Sequence, residues 1–456
     1  MTRRRTAKMR SSVRRAGSAV AIGALLLLGG EDAKAQATAD FCGCAGSPEG
    51  LGSFNSNDPA TWPAGTVDIA HDPCYPHVRI PLPESGVLVF DSFTVSNRNT
   101  GCGTRNVTVS FVPNAANTPV TLLIRGDLTV GSSDLLSVRG SGGSDGSSGS
   151  NGVGGLGGPG GFAGGDGAYQ LSNLASNGGA GVGPGGGAGS IAEGRVRAGG
   201  GSFFGVPELR PLVGGSGGGG GHSLTSGGSC AGGGGGGGGG ALLVAANGTV
   251  RIDGTVSANG GGGGNRAGGS CSSNGAGGSA GAIRILASAI TGGGAIEAVG
   301  AAGGDSHSDA NDRGNGGGSG RIRLEAITNS FAVNGTSPVA VRAPAPGPLA
   351  NPITPTVTIT GIDGKATPVN PVGHRGQIDL LVDSPGSIQI DLATTDVPAG
   401  TDVEVVAKPK IGRAPSSQRV TLSPAACTGG TCTAAVAFEL DPGGYILEAR
   451  ATFEAP

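Results

Sequence analysis

The sequence predicts an all-β protein: a glycine-rich parallel β-helix followed by a C-terminal immunoglobulin-like β-sandwich. Three observations carry this. Glycine supplies 97 of 456 residues and aromatic residues only 3%. A short apolar pattern recurs at about 40 residues, the mark of a stacked-repeat architecture. The last hundred residues lose the glycine and alternate apolar with polar side chains, as half-buried strands do. Charged residues are 14%, well below the usual quarter or so, and this composition excludes coiled coils and helical bundles. The glycines do not recur strictly every third residue, which excludes collagen.

Residues 1–35 read as a cleaved export signal. Arg3, Arg4, Arg5, Lys8, Arg10, Arg14 and Arg15 form a basic start, Ala19–Leu28 an apolar run, and Ala33-Lys34-Ala35 a small-x-small site cut after Ala35. Removing its net charge of +6 from a chain of −2 leaves −8, which disfavours nucleic acid and anionic membranes as partners. No later run reads as a transmembrane segment. Residues 36–85 form a cysteine-containing N-terminal segment. All eight cysteines, Cys42, Cys44, Cys74, Cys102, Cys230, Cys271, Cys427 and Cys432, lie beyond the signal and are expected to form disulfides in an oxidising compartment.

Residues 86–335 are assigned to the β-helix. Thr121–Val130 aligns with Ala241–Val250 at an offset of 120, Ala282–Leu286 follows at a further 41, and Arg321–Glu325 at a further 39. Stacked, these units place Leu122, Leu242, Ile283 and Ile322 in one column and Ile124, Val244, Ile285 and Leu324 in another. Leu136, Val256 and Ile296 make a third, and Val138, Ala258 and Ala298 a fourth. The intervening Arg251, Arg284, Glu297, Arg321 and Arg323 are expected to face water. Residues 140–240 lack the apolar signature and read as a low-complexity insertion; 69 of the 97 glycines fall in 141–320. Residues 336–353 are a Pro/Ala-rich linker. Residues 354–456 contain seven candidate strands, Thr356–Thr360, Gln377–Val382, Ser387–Leu392, Asp402–Ala407, Arg419–Leu422, Thr433–Leu440 and Tyr445–Phe453, a count suited to an immunoglobulin-like sandwich.

Cys230 and Cys271 end identical Gly-Gly-Ser-Cys tetrapeptides, and their separation equals the offset from Leu242 to Ile283. Adjacent repeats stack about 4.8 Å apart, within the Cα range a disulfide needs, so these two cysteines are expected to pair. The pairing of Cys42, Cys44, Cys74 and Cys102 stays open among three arrangements, with Cys42–Cys44 reading as a strained choice.

The chain resembles a group of exported, glycine-rich bacterial proteins common in myxobacteria and similar Gram-negative genera. The likeness rests on Pro159–Phe162, Leu209–Gly218, Gly232–Gly240 followed by Ala-Leu-Leu-Val, Ala258–Gly260 and Gly320–Arg323. It covers roughly 86–326 and implies a secreted or surface parallel β-solenoid of the pectin-lyase-like type, with no activity carried over. The glycine content also resembles that of mycobacterial PE-PGRS proteins, in composition alone.

The chemical motifs are weak. The glycine strings lack the flanking strand, helix and acidic residue of a dinucleotide site, so no cofactor is expected. His71, Cys74 and His77, with Cys42 and Cys44, have metal-ligand residue types, but disulfides are the reading favoured in an exported chain. Asp305–Asp312 is an acidic loop without an EF-hand or RTX pattern, and no metal site is assigned. Asp253 and Glu297 are isolated carboxylates. Trp62 and Tyr169 are among the few aromatics that could stack on a sugar, and no Ser/His/Asp set is apparent, so no catalytic residue is assigned. The expectation is an exported, non-enzymatic structural or adhesive protein that is secreted or on the cell surface, with extracellular polysaccharide or other surface proteins as partners. The alternative is a carbohydrate-active β-helix enzyme, of the polysaccharide lyase or hydrolase kind.

Overall fold

The computed structural model describes residues 40–44, 50–69, 74–169, 175–224, 230–305, 312–350, 355–382, 386–410 and 415–453. The expected export signal lies outside them, as does most of the acidic loop. Among the described residues there are strands and short 3₁₀ turns but no α-helix.

Two mostly parallel sheets enclose the main core. One runs through Ser53–Asn55, Ser92–Val95, Leu128–Val130, Ala241–Ile252, Ala282–Thr291, Arg321–Asn329 and Val341–Ala343, with Val87–Phe90 and Val120–Ile124 attached. The other runs through Val67–Asp68, His77–Pro81, Thr108–Val112, Leu135–Ser137, Thr255–Ser257, Ala295–Glu297 and Thr336–Ser337. Leu242 pairs with Ile283, which pairs with Ile322, and Val244–Ile285–Leu324 follow in step. Leu136, Val256 and Ile296 stack likewise. All of these side chains are buried, and each contributes roughly 1.5–3 kcal/mol. Phe54, Phe90 and Phe93 close the N-terminal end, with Phe54 and Phe93 stacked at 4.4 Å.

Two expectations about these sheets are corrected. In the first sheet Leu242 lies beside Val120 and Val244 beside Leu122, so the first offset there is 122, whereas Leu136 beside Val256 keeps the expected 120 in the second sheet. A slip of two preserves which side chains face inward, and alternation alone is blind to it. Arg284 does not face water; it is 1% exposed. The outer face of its sheet is covered by Cys42, Cys44 and Leu349, which pack on Leu243, Ala245 and Leu286. The Arg284 guanidinium donates to Glu325 Oε1 (2.8 Å), Pro348 O (2.9 Å) and Leu349 O (3.1 Å), while Gly347 N donates to Glu325 Oε2 (2.6 Å).

The glycine-rich stretches are built into the fold as a lattice of extended segments. In 231–240 the amides donate in rotation to three neighbours: Gly232 to Ala168, Gly233 to Ser273, Gly234 to Ser144, then Gly235 to Gly165, Gly236 to Ala276 and Gly237 to Ser141. The carbonyls of Gly232, Gly233 and Gly234 accept from Gly152, Gly221 and Gly264, and those of Gly235, Gly236 and Gly237 from Gly155, Gly218 and Gly261. The direction repeats every third residue with no bond inside the segment, the property of a polyproline-II helix. Six neighbours therefore surround this one, and each of these backbone groups is paired. A Cβ on Gly236 would sit 1.9 Å from Gly261 O, and one on Gly238 1.9 Å from Gly215 O. The unbroken run of glycine is thus a packing requirement, and much of 140–240 serves as the neighbours that complete the lattice.

The C-terminal region is antiparallel. A five-stranded sheet orders Lys365–Ala366, Thr356–Ile362, Gly386–Thr395, Thr431–Leu440 and Cys427–Thr428; a three-stranded sheet orders Ser416–Thr421, Asp402–Pro409 and Tyr445–Ala451. Ile390, Leu392, Val403, Val405 and Phe438 fill the space between. The candidate strand Gln377–Val382 is not one: it is irregular, with Ile378 and Leu381 exposed. The Asp379 carboxylate accepts from Val372 N (2.5 Å) and Gly373 N (2.9 Å), local bonding that competes with a sheet ladder. This region docks on the glycine lattice. Lys408 Nζ donates to Gly181 O (3.2 Å) and Gly183 O (3.0 Å) and pairs with Glu448 (2.8 Å), while Ala163 N donates to His374 O (2.9 Å).

Candidate functional site

The cysteines form four disulfides: Cys42–Cys44, Cys74–Cys102, Cys230–Cys271 and Cys427–Cys432. The Cys42–Cys44 pairing, read from sequence as strained, is the one present. It places Asp40 beside two sulfurs already bonded to each other. His77 Nε2 is 2.7 Å from Ser110 Oγ, and His71 lies outside the described residues. The described metal-type residues of this region are therefore engaged in covalent and hydrogen bonds.

The two isolated carboxylates each meet an arginine. Asp253 is 2.6 Å from Arg251 Nε, whose hydrogen bond holds the carboxyl below its usual range. Glu297 accepts from Arg139 (3.2 Å) and from Asn259 Nδ2 (2.9 Å). Trp62 donates from Nε1 to Asn55 O and lies under the Arg98 guanidinium, 5.4 Å from the ring centre. Neither carboxylate forms an acid/base pair with the other's column.

The sequence pattern does not announce a buried polar cluster at one end of the lattice. His222 Nδ1 is 2.6 Å from Ser190 Oγ, Ser273 Oγ donates to Ser190 Oγ (2.9 Å), and His222 N donates to Ser273 Oγ (2.9 Å). Ser190 Oγ also donates to Val196 O (2.6 Å). A hydroxyl has one proton, so the network assigns the Nδ1–H tautomer to His222. Burial pushes the imidazole down to about 4; Asp312 opposes this, and Arg195 and Arg266 add to it. Asp312 accepts from Arg266 Nη1 (2.5 Å) and is 3.4 Å from Arg195. The residue types are those of a nucleophile and its base, but Ser190, His222, Ser273 and Asp312 are all 0% exposed. Their work is to tie together segments that lie far apart in sequence. Isolated Ser and His in glycine-rich surroundings carry no motif spacing, so sequence offers no signal for this set.

A groove of about 1110 Å³ separates the C-terminal sheets from the lattice. Phe162, Val182, Val357, Ile359, Ile388 and Tyr445 are among its walls. Burial lowers His374 at its rim. The walls are chiefly apolar, and Lys410, one of the polar groups there, is paired with Asp166 (3.4 Å).

No family model, curated protein or solved structure matches the chain.

Proposed function

We propose that this is an exported structural or adhesive protein, a pectin-lyase-like parallel β-solenoid stiffened by a polyglycine lattice and carrying an immunoglobulin-like module. The observation that carries this reading is the lattice. A segment whose amides and carbonyls bond in turn to six neighbours has no soft direction, and it gains that rigidity with almost no side chains. The parallel ladders at offsets of 41 and 39 support the solenoid, because each unit is too small to bury its own apolar face. The two antiparallel sheets packed around Ile390 and Phe438 support the sandwich. Four disulfides suit an oxidising compartment. No helix among the described residues is long and apolar enough to cross a membrane.

The test is fractionation of the epitope-tagged full chain in a Gram-negative host, with thiol labelling of each fraction. Recovery outside the cytoplasm, shortened by about the signal and without free thiols, is expected. A full-length, thiol-bearing chain confined to the cytoplasm refutes the reading.

A further inference from the structure

The three-stranded sheet of the C-terminal region ends on an open edge. Lys410 N donates to Gly444 O, and the ladder beyond is regular, with Lys408 opposite Ile446, Val406 opposite Glu448 and Glu404 opposite Arg450. Bonded pairs alternate with unbonded ones in an antiparallel ladder, so these three pairs exchange the hydrogen bonds. Leu447 and Ala449 therefore turn their amides and carbonyls the other way. Among the described residues no strand pairs on that side, and no group bonds to these two amides or carbonyls.

This edge is one wall of the groove beside the lattice. Across from it stand Val357 and Ile359 of the other sheet, with Ile388 and Leu440 deeper in. Leu447, Ala449, Val357 and Ile359 are only partly buried against the sandwich core. The groove holds about 1110 Å³, above the range of ordinary ligand pockets. Gln377–Val382, the strand expected from sequence, does not fill it. That strap is pinned as a further wall: Arg375 donates to Asn114 O (2.9 Å), Lys410 Nζ to Gly376 O (2.7 Å) and Lys365 Nζ to Leu381 O (2.8 Å), while Asp379 accepts from Val372 N and Gly373 N.

We propose that the groove receives one extended β-strand donated by a different protein, paired along Tyr445–Ala451. A lipid or other wholly apolar ligand would fill the space but leave the Leu447 and Ala449 backbone groups buried without partners, which proteins rarely tolerate. An extended peptide offers alternating donors and acceptors at the spacing of the edge, while every second side chain enters between the sheets. Those side chains are apolar, to match Val357, Ile359 and Leu447. The intervening ones meet Phe162 and Val182 on the lattice side and are uncharged. Lys410, Glu448 and Arg450 are met within the chain by Asp166, Lys408 and Glu404, so the open edge rather than a charge sets the ligand class. In a second copy the strap is held by the same bonds, so the donor is a segment of another protein.

This names a partner for the adhesive reading, and the two fail separately: an exported chain that captures no strand overturns only this proposal. The probes are fluorescent, lysine-flanked peptides whose central seven residues, the length of Tyr445–Ala451, carry valine, isoleucine or leucine at alternate positions with threonine between. They are titrated into the full chain beside palmitate, with hydrogen exchange and light scattering. Saturable binding is expected, with exchange slowed at Leu447 and Ala449. Ala449→Pro deletes an amide that bonds nothing in the chain, a change an edge strand tolerates, and should bind at least tenfold more weakly; Ser417→Pro, on the far edge of the same sheet, is the control. Peptides N-methylated on one alternate set of amides should lose as much on wild type, which decides the matter if Ala449→Pro misfolds. No saturable binding by any of these peptides, equal binding of plain and methylated peptides, tighter binding of palmitate than of every peptide, slow exchange at Leu447 and Ala449 in the free chain, or pairing of two copies that the peptides abolish overturns the proposal.

Discussion

The same substitution placed at two glycines of the lattice should have opposite effects. At Gly236 an alanine Cβ lies 1.9 Å from Gly261 O and 2.5 Å from Gly261 C. Relief needs a shift of about 1 Å, since hydrogen-bonded lattices hold their neighbours at fixed range. That shift stretches the bonds from Gly235 to Gly165 (2.8 Å), Gly236 to Ala276 (2.8 Å) and Gly237 to Ser141 (2.9 Å) beyond useful length. Three such bonds at about 0.5–1.5 kcal/mol each, in line with ordinary overpacking costs, give a loss of about 3 kcal/mol. At Gly262 the alanine Cβ has 3.7 Å of clearance, and Gly262 is not among the residues with positive φ. There the lower entropy of the unfolded chain prevails, and Gly262→Ala should stabilise by roughly 0.4–1 kcal/mol. Denaturant melts of wild type and both variants decide the matter. Equal midpoints, or a more stable Gly236→Ala, would refute the six-neighbour packing.

Other outcomes follow from the buried charges and the cross-links. Burial alone would raise the Glu325 carboxyl, but hydrogen bonds from Arg284 and Arg323 outweigh it and hold it low; Glu325→Ala strands the Arg284 charge and should cost about 3–5 kcal/mol, against under about 0.5 for the exposed Arg251→Ala, both read from melts. His222 titrates near 4 when folded and near 6.5 when unfolded, so the unfolded state takes the proton first. Its contribution is complete above about 6.5 and lost as pH falls towards 4, about 3 kcal/mol in all; a stability–pH curve for His222→Gln should be flatter across that window. Non-reducing peptide mapping should recover Cys230 joined to Cys271, and replacing both with serine should lower stability by about 4 kcal/mol on the loop-entropy model.

Local patterning makes much of the fold legible in the sequence. Leu242, Val244, Ile283, Ile285, Ile322 and Leu324 sit at alternate positions of their segments, and a period of two suffices to say which side chains point inward. The matching tetrapeptides at Cys230 and Cys271 express the stacking distance, because equivalent positions on neighbouring units are a strand spacing apart. Tertiary structure alone decides the rest. In the first sheet the offset of 122 rather than 120 keeps every residue on its face, so alternation cannot reveal it. Arg284 is buried because residues 40–44 and 345–349 return over its sheet, and no local pattern records a distant covering segment. The glycine runs look like an insertion because glycine has no side chain with which to show a face. Their order comes from backbone bonds to six segments far away in sequence, and the same packing brings Ser190, His222, Ser273 and Asp312 together without any motif to announce them.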